Sequence, residues 1–328
     1  MAKQSAKTAT PRLRFPEFRR GAAWATTELR EFSEFVTERV GTTACTPYTV
    51  TSGIGLVSQQ EKLGRTIAGN SLKNYIVLQR NDFAYNKSAT KAFPQGFIAR
   101  YTGDERAAVP NSIFTCFRAD AEVVDPTYLD YLLSTNLHGR WLRGRIAIGA
   151  RAHGSLNVSD EDLMELPVLL PGGATSLAEQ QKIADCLTSL DEVIAAQGRK
   201  VEALKAHKRG LMQQLFPRAG ETRPRLRFPE FGHAPEWERK KLGEISAISS
   251  GATPLRSKPE FYEGGTIPWV KTTDLNNSFI FGSQECVTPK AKVTINPVGS
   301  VVVAMYGGFN QIGRTGLLKI PAATIQAL

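Results

Sequence analysis

The sequence predicts an α+β chain in which two copies of one β-rich module flank a long helix. Three observations predict it. The octapeptide PRLRFPEF occurs at Pro11–Phe18 and again at Pro224–Phe231, an offset of 213 residues. The register continues past the octapeptide, with Trp24 matching Trp237, Leu29 matching Leu242 and Glu31 matching Glu244. A fixed offset with anchored tryptophans marks an internal repeat. Between the copies, residues 177–215 carry an apolar ladder at helical spacing. The flanking segments are short apolar runs broken by Gly, Asn, Asp and Pro, the pattern of strands and turns.

The elements follow in order. Residues 1–10 are polar and basic and read as a loose tail. Pro11 to Ala23 reads as extended, with Phe15 and Phe18 as docking aromatics. Trp24–Phe35 reads as a short helix or a strand opening. Strands are predicted at Tyr75–Leu78, Phe83–Tyr85, Phe97–Tyr101 and Ser112–Phe117. Asp125-Pro126 opens an amphipathic helix running to Arg143, with proline tolerated in its first turn. Leu129, Leu132, Leu133 and Leu137 share one face. A glycine-rich stretch spans Ile146–Ser159, then a short helix near Asp160–Glu165 and a strand at Leu166–Leu170.

The clearest helix begins at Ser176-Leu177-Ala178-Glu179, a capping-box pattern in which the serine accepts an orphan N–H and the glutamate reaches back. Pro217 ends it. Ile183, Leu187, Leu190, Ile194, Val201, Leu204, Leu211 and Leu215, with Gln197 and Lys208 in two polar slots, step by four and three alternately. That is a heptad ladder. A helix of this length with one apolar stripe needs a partner to bury it. The second module reads as β-rich around Ile267–Val270 and Gly299–Met305.

Length and composition set broad limits. At 328 residues two domains are the prior. Hydrophobic residues make up 41%, enough for real cores. The formal charge of +10 fits a polyanionic partner, or simply a basic protein. Cys45, Cys116, Cys186 and Cys286 form no CxxC pair, so they read as reduced, mostly buried thiols rather than zinc ligands. The polar N-terminus is no secretory signal, and no run approaches the about 18 apolar residues of a membrane span. The cytoplasm is the expected location.

Motifs for chemistry are missing. Asn296-Pro297-Val298-Gly299 lacks the aromatic of the Asn-Pro-Pro-Tyr-type tetrad of base methyltransferases. Gly53-Ile54-Gly55 lacks the third glycine of a cofactor loop, and there is no phosphate loop or nucleophile elbow. His138, His153, His207 and His233 are scattered singly, so a metal site is not expected. A catalytic site is expected to be absent, and so is a cofactor.

Several segments resemble the specificity subunit of type I restriction-modification systems. They are Leu156–Val158 through Leu166–Pro171 with Glu179–Ala184; Leu190-Asp191 with Lys208–Phe216; Gly264–Asn276; and Gly299–Gly307. The resemblance implies two α/β target-recognition domains separated by conserved helices, each domain reading half of a split DNA site. It implies a non-catalytic subunit that docks methyltransferase subunits, which bind S-adenosylmethionine and methylate adenine, and motor-nuclease restriction subunits. The expected division is an N-terminal segment at 1–23, a first recognition domain at 24–172, a spacer helix at 173–217, a linker repeating the N-terminal motif at 218–236, and a partial second domain at 237–328. The second copy runs for 105 residues, short of the first, and lacks a second conserved helix. The stripe is therefore expected to pair two chains in a homodimer, or to await a partner on another polypeptide, or to mark a non-functional truncated subunit. A stand-alone DNA-binding or oligomeric scaffold protein is the other reading.

DNA readers need side chains for base edges and cations for phosphates. In the first module the candidates are Gln59, Gln60, Glu61, Lys62, Arg65, Asn86, Lys87, Ser88, Lys91, Arg143, Arg145, Arg151 and His153. Asn86-Lys87-Ser88 leads them, placing an amide, a cation and a hydroxyl in one turn; taken alone it would be an ordinary polar turn. The basic run Arg140–Arg151 could track a backbone or be a solvated face. In the second module the candidates are Arg256, Lys258, Lys271, Thr272, Tyr306, Asn310 and Arg314, with Trp269 read as core. Ile183, Leu187, Leu190, Ile194, Val201, Leu204, Leu211 and Leu215 are the helix-pairing candidates.

Overall fold

The repeat and the long helix both appear in the computed structural model, which describes residues 8–51, 54–145 and 156–328. The chain divides into two units, Met1–Lys208 and Arg209–Leu328.

In the first unit, strand β1 (Thr8–Ala9) pairs antiparallel with β2 (Trp24–Glu28), Ala9 opposite Trp24. Between them Pro16–Phe18 makes one 3₁₀ turn, favoured by the fixed φ of Pro16. Residues Trp24–Phe35, ambiguous by pattern, resolve into β2, a 3₁₀ turn at Leu29–Glu31 and β3 (Ser33–Phe35). There follow β4 (Thr46–Thr51), β5 (Gly55–Ser58), α1 (Gln59–Leu63), β6 (Ile76–Leu78), β7 (Phe83–Asn86), β8 (Phe97–Arg100), β9 (Ala107–Val109) and β10 (Phe114–Ala119). Then come α2 (Pro126–Ser134), α3 (Leu137–Leu142), α4 (Asp160–Met164) and β11 (Pro167–Leu170).

The strands form three sheets: β1-β2-β11, β3-β10-β7-β8 and β5-β4-β9-β6. The β7 strand sits inside its sheet, with Phe83, Ala84 and Tyr85 all fully buried. Phe83 and Phe117, on neighbouring strands, stack with centroids 5.1 Å apart. Leu129 and Leu133 of α2 and Leu142 of α3 close one core cluster against them.

The single helix expected over Pro126–Arg143 is two helices. Asp125 caps α2, its Oδ1 accepting from the Thr127 and Tyr128 amides at 2.9 and 2.8 Å. The break is at Asn136, whose backbone is left-handed (φ 60°). Asparagine tolerates that conformation better than most residues. Gly139 then lets the chain close on it, since a Cβ there would lie 2.1 Å from Asn136 Oδ1.

The long helix α5 (Ser176–Leu215) has 40 residues, as the ladder predicts. Its cap differs from the expected box. Ser176 Oγ donates to the Pro171 carbonyl, and Glu179 turns to Arg14 instead of the helix N-terminus. A guanidinium offers the carboxylate two bonds from a full positive charge, where the helix start offers one from a backbone amide. Glu179, Gln180 and Ala184 are the buried residues of α5. Every residue from 189 to 208 is exposed, so the middle of the heptad stripe, Leu190 to Leu204, faces solvent, while Ile183, Leu187, Leu211 and Leu215 are half-buried. Cys186 is exposed on this helix and Cys116 is buried, with Cys45 and Cys286 between, so burial of the thiols is only partial. Among the described residues no helix is long and apolar enough to cross a membrane.

In the second unit the repeated octapeptide makes the same 3₁₀ turn, Pro229–Phe231. The Trp237 amide bonds the Thr222 carbonyl, 213 positions beyond the Ala9–Trp24 pairing. There follow α6 (Leu242–Ile245), β12 (Ile267–Val270), β13 (Ser278–Ile280), β14 (Cys286–Val287), β15 (Val301–Val303), β16 (Thr315–Leu318) and β17 (Ala323–Thr324). They form two sheets, β14-β12-β17 and β13-β16-β15. Trp269 is buried at the centre of one cluster, donating Nε1–H to the Ala252 carbonyl at 3.1 Å. Gly251 runs so close to β17 that a Cβ would meet the Thr324 carbonyl at 2.1 Å.

Candidate nucleic-acid interface

In the first unit the predicted residues separate into spent and available groups. Around α1, Ser58 and Glu61 form a capping box, and buried Gln59 accepts from the Ile67 amide at 3.0 Å. Gln60 bonds the Gly64 carbonyl and Lys62 the Val50 carbonyl. Arg65 is exposed one residue past Gly64. Of this group Lys62 and Arg65 project charge outward.

The Asn86-Lys87-Ser88 turn is built into the protein. Asn86 Oδ1 accepts from the Ser88 amide, and Lys87 Nζ lies 2.7 Å from Asp160 Oδ1. Thr115 donates to the same carboxylate at 2.6 Å. Burial opposes the Asp160 charge, but the bonds from Lys87 and Thr115 outweigh it and hold the carboxyl below its usual range. The Lys87 carbonyl also receives the Leu156 amide at 2.7 Å. Nearby on α4, Asp162 pairs with Arg145, 3.6 Å away, and Arg145 lies 3.3 Å over the Trp141 ring. The α4 start thus gathers Lys87 and Arg145. Arg143 and Lys91 are exposed. Arg151 and His153 lie outside the described residues.

The second-unit candidates are brought together more tightly. Glu285 pairs with both Arg256 and Lys271, each at 2.6 Å. Hydrogen bonds from Lys271 and Arg256 hold its carboxyl below the usual range. Arg256 also sits 4.5 Å over Tyr262 and 5.2 Å over Trp269. Thr272 Oγ1 meets Gln311 at 3.2 Å, which ties β12's end to the loop 305–313. Arg314, half-buried, donates to the Leu275 carbonyl. Lys258 lies over Phe261. Tyr306 and Asn310 project outward on the same loop.

That loop carries a residue the sequence reading passed over. Phe309 is 100% exposed, between Gly308 and Asn310, with Met305, Tyr306 and Ile312 also well exposed. Exposed aromatic side chains in a positively charged groove are the surfaces on which bases stack.

Comparison with known proteins bears on these elements. Residues 235–319 match the family described as "Type I restriction modification DNA specificity domain". The EcoR124I/EcoR124II specificity subunit of Escherichia coli is 30% identical over 96 residues, covering 28% of this chain and 24% of that one. The MjaVIII specificity subunit of Methanocaldococcus jannaschii is 27% identical over 215 residues, covering 62% and 48%. A solved type I S subunit from M. genitalium superposes with a TM-score of 0.47 at 13% identity, over 97% of this chain and 74% of that one. The chain spans from about a quarter to about half the length of the curated relatives it matches. Through the matched domain at 235–319 and the aligned stretches of both subunits, the chain resembles the specificity subunits of type I restriction-modification systems.

Proposed function

We propose that the chain is a non-catalytic DNA-recognition subunit of a type I restriction-modification complex. One observation carries the reading: a duplicated module flanks a 40-residue helix, and the second copy coincides with the matched specificity domain. In this reading residues 24–172 and 237–328 are recognition domains, 173–217 the spacer helix and 218–236 the linker. Each domain reads one half of a split target in double-stranded DNA. The partners are methyltransferase subunits, which carry S-adenosylmethionine, and motor-nuclease restriction subunits.

Phosphate contact falls to the exposed cations with no ion pair among the described residues, Lys62, Arg65, Lys91, Arg143 and Lys258, and to half-buried Arg314. Lys87, Arg145, Arg256 and Lys271 are tied to carboxylates and act as supports. Base contact falls to Asn86, Ser88, Thr272, Tyr306 and Asn310. The solvent-facing stripe of α5 favours pairing with a second helix, in a homodimer or across a complex.

The experiment is co-expression with a type I methyltransferase subunit, followed by DNA binding on a pool of random duplexes. Selection of a split sequence by the complex, with no turnover by the chain alone, is the expected result. Failure to co-purify, or binding without sequence preference, would favour an oligomeric scaffold built on the exposed stripe.

A further inference from the structure

The two modules carry the same hairpin with different tips. In the first, Asn81 (φ 73°) opens β7; its amide donates to the Tyr101 carbonyl at 2.8 Å, and the Tyr101 amide donates to the Asp82 carbonyl at 2.7 Å. In the second, Gly299 (φ 90°) opens β15; its amide donates to the Leu318 carbonyl and the Leu318 amide to the Ser300 carbonyl, both at 2.9 Å. Both hairpins are antiparallel, and each loop closes on a left-handed glycine, Gly96 (φ 83°) and Gly313 (φ 80°). Lys91 stands ten positions after Asn81, and Phe309 ten positions after Gly299. Each is an exposed loop tip.

What the tips present differs. In the first loop the aromatic is turned in: Phe93 is half-buried, its ring centroid 4.7 Å from that of Phe97, and Lys91 is left outside. In the second the ring is turned out, and Phe309 is 100% exposed. The turn beneath it is held by side chain and backbone. The Gln311 amide donates to the Gly308 carbonyl at 2.7 Å, the Gly308 amide to Gln311 Oε1 at 3.2 Å, and Thr272 Oγ1 reaches the same oxygen. Gly307 passes so close that a Cβ there would meet Gln311 Oε1 at 2.6 Å. At the foot of the loop stand Arg256, Lys271 and Arg314 against Glu285 and Asp274. A phenyl ring on a fixed turn loses little ordering entropy when a partner covers it.

We propose that Phe309 is an intercalating residue, its ring inserting between two stacked base pairs of the half-site that the second unit reads. The inference rests on the DNA-recognition reading and adds to it a residue that sets specificity. A polyanion with stacked bases fits both tips. It takes an ammonium on its phosphates in one module and a ring between its bases in the other. Apolar wedges of this kind unstack a base step and kink the duplex. Pyrimidine–purine steps unstack most readily, so the ring selects a TA or CA step through deformability rather than through a hydrogen bond.

The test uses the whole chain with a type I methyltransferase subunit and the duplex selected from the random pool, carrying a donor dye at one end and an acceptor at the other. Binding is expected to bring the two dyes closer. Phe309→Ala is expected to bind about tenfold more weakly and to leave the duplex straight. Phe309→Leu keeps the bend. Phe309→Lys, which carries the chemistry of the first tip, steepens the salt slope by about one and leaves the duplex straight. A Phe309→Ala complex that binds and bends DNA as the parent does would overturn insertion while the DNA-recognition reading stands. So would a selected site with no pyrimidine–purine step. A parent that selects no sequence removes that reading, and insertion falls with it. Phe309→Ala that loses the methyltransferase subunit but binds DNA unchanged also overturns the proposal, assigning the loop to a protein partner.

Discussion

Replacing Ile194 and Leu204 together by aspartate tests whether the α5 stripe is a pairing surface. Leu190, Ile194, Val201 and Leu204 are 54%, 68%, 47% and 58% exposed. Burying such a side chain completely contributes about 1.5–3 kcal/mol, so covering the exposed half contributes about 1 kcal/mol each. A symmetric pair of helices covers eight of them, about 8 kcal/mol in total. Association costs at least about 4 kcal/mol in lost freedom, so the stripe supports a weak dimer. The double substitution removes four covered side chains per dimer, about 4 kcal/mol, or about 1000-fold in dissociation constant. The net of about 4 kcal/mol corresponds to a dissociation constant of about 1 mM, so sedimentation equilibrium up to about 1 mM reads the loss of dimer. A variant that dimerises as well as the parent would refute the reasoning, since the mass would then depend on another surface.

Four further outcomes are expected. If the six cations with no ion pair among the described residues each neutralise one phosphate, log affinity for DNA should fall with log salt with a slope of about −5, and Arg65→Ala should flatten it by about one; a slope near zero argues against a DNA interface. Lys87→Ala should lower the stability of the first unit by about 1–2 kcal/mol in urea unfolding while changing the salt slope by less than one, because its ammonium is bound to Asp160; an unchanged midpoint with a flatter slope would return Lys87 to the DNA surface. Phe117→Ala, which empties one side of the Phe83 stack, should cost about 3–5 kcal/mol, and a smaller loss would mean the sheet collapses around the gap. Burial lowers the His138 pKa, and its Nδ1 is buried without a partner among the described residues. The unfolded state then binds the extra proton first, so the first unit should lose stability as pH falls below about 6.5. His138→Asn should remove that slope in thermal unfolding, and a slope that persists would place its origin in another group.

The sequence by itself determined the elements whose signal is local and repeated. The 213-residue offset, the 40-residue helix and the strands Ile76–Leu78 and Phe83–Asn86 follow from spacing and turn residues, because those patterns act within a few residues of chain. Tertiary structure decided what depends on partners distant in sequence. Glu179 leaves its helix cap for Arg14, 165 residues away, because a guanidinium outbids one backbone amide. Lys87 is bound by Asp160, 73 residues on, so its local setting in a polar turn did not reveal its use. The helix break at Asn136 needed the close approach of Gly139, and the exposure of Phe309 needed the loop held by Thr272 and Gln311. Both copies of the octapeptide make the same 3₁₀ turn, yet Trp24 is 9% exposed and Trp237 44%, because Trp24 lies beside Glu179, 155 residues away, a contact that no local pattern encodes.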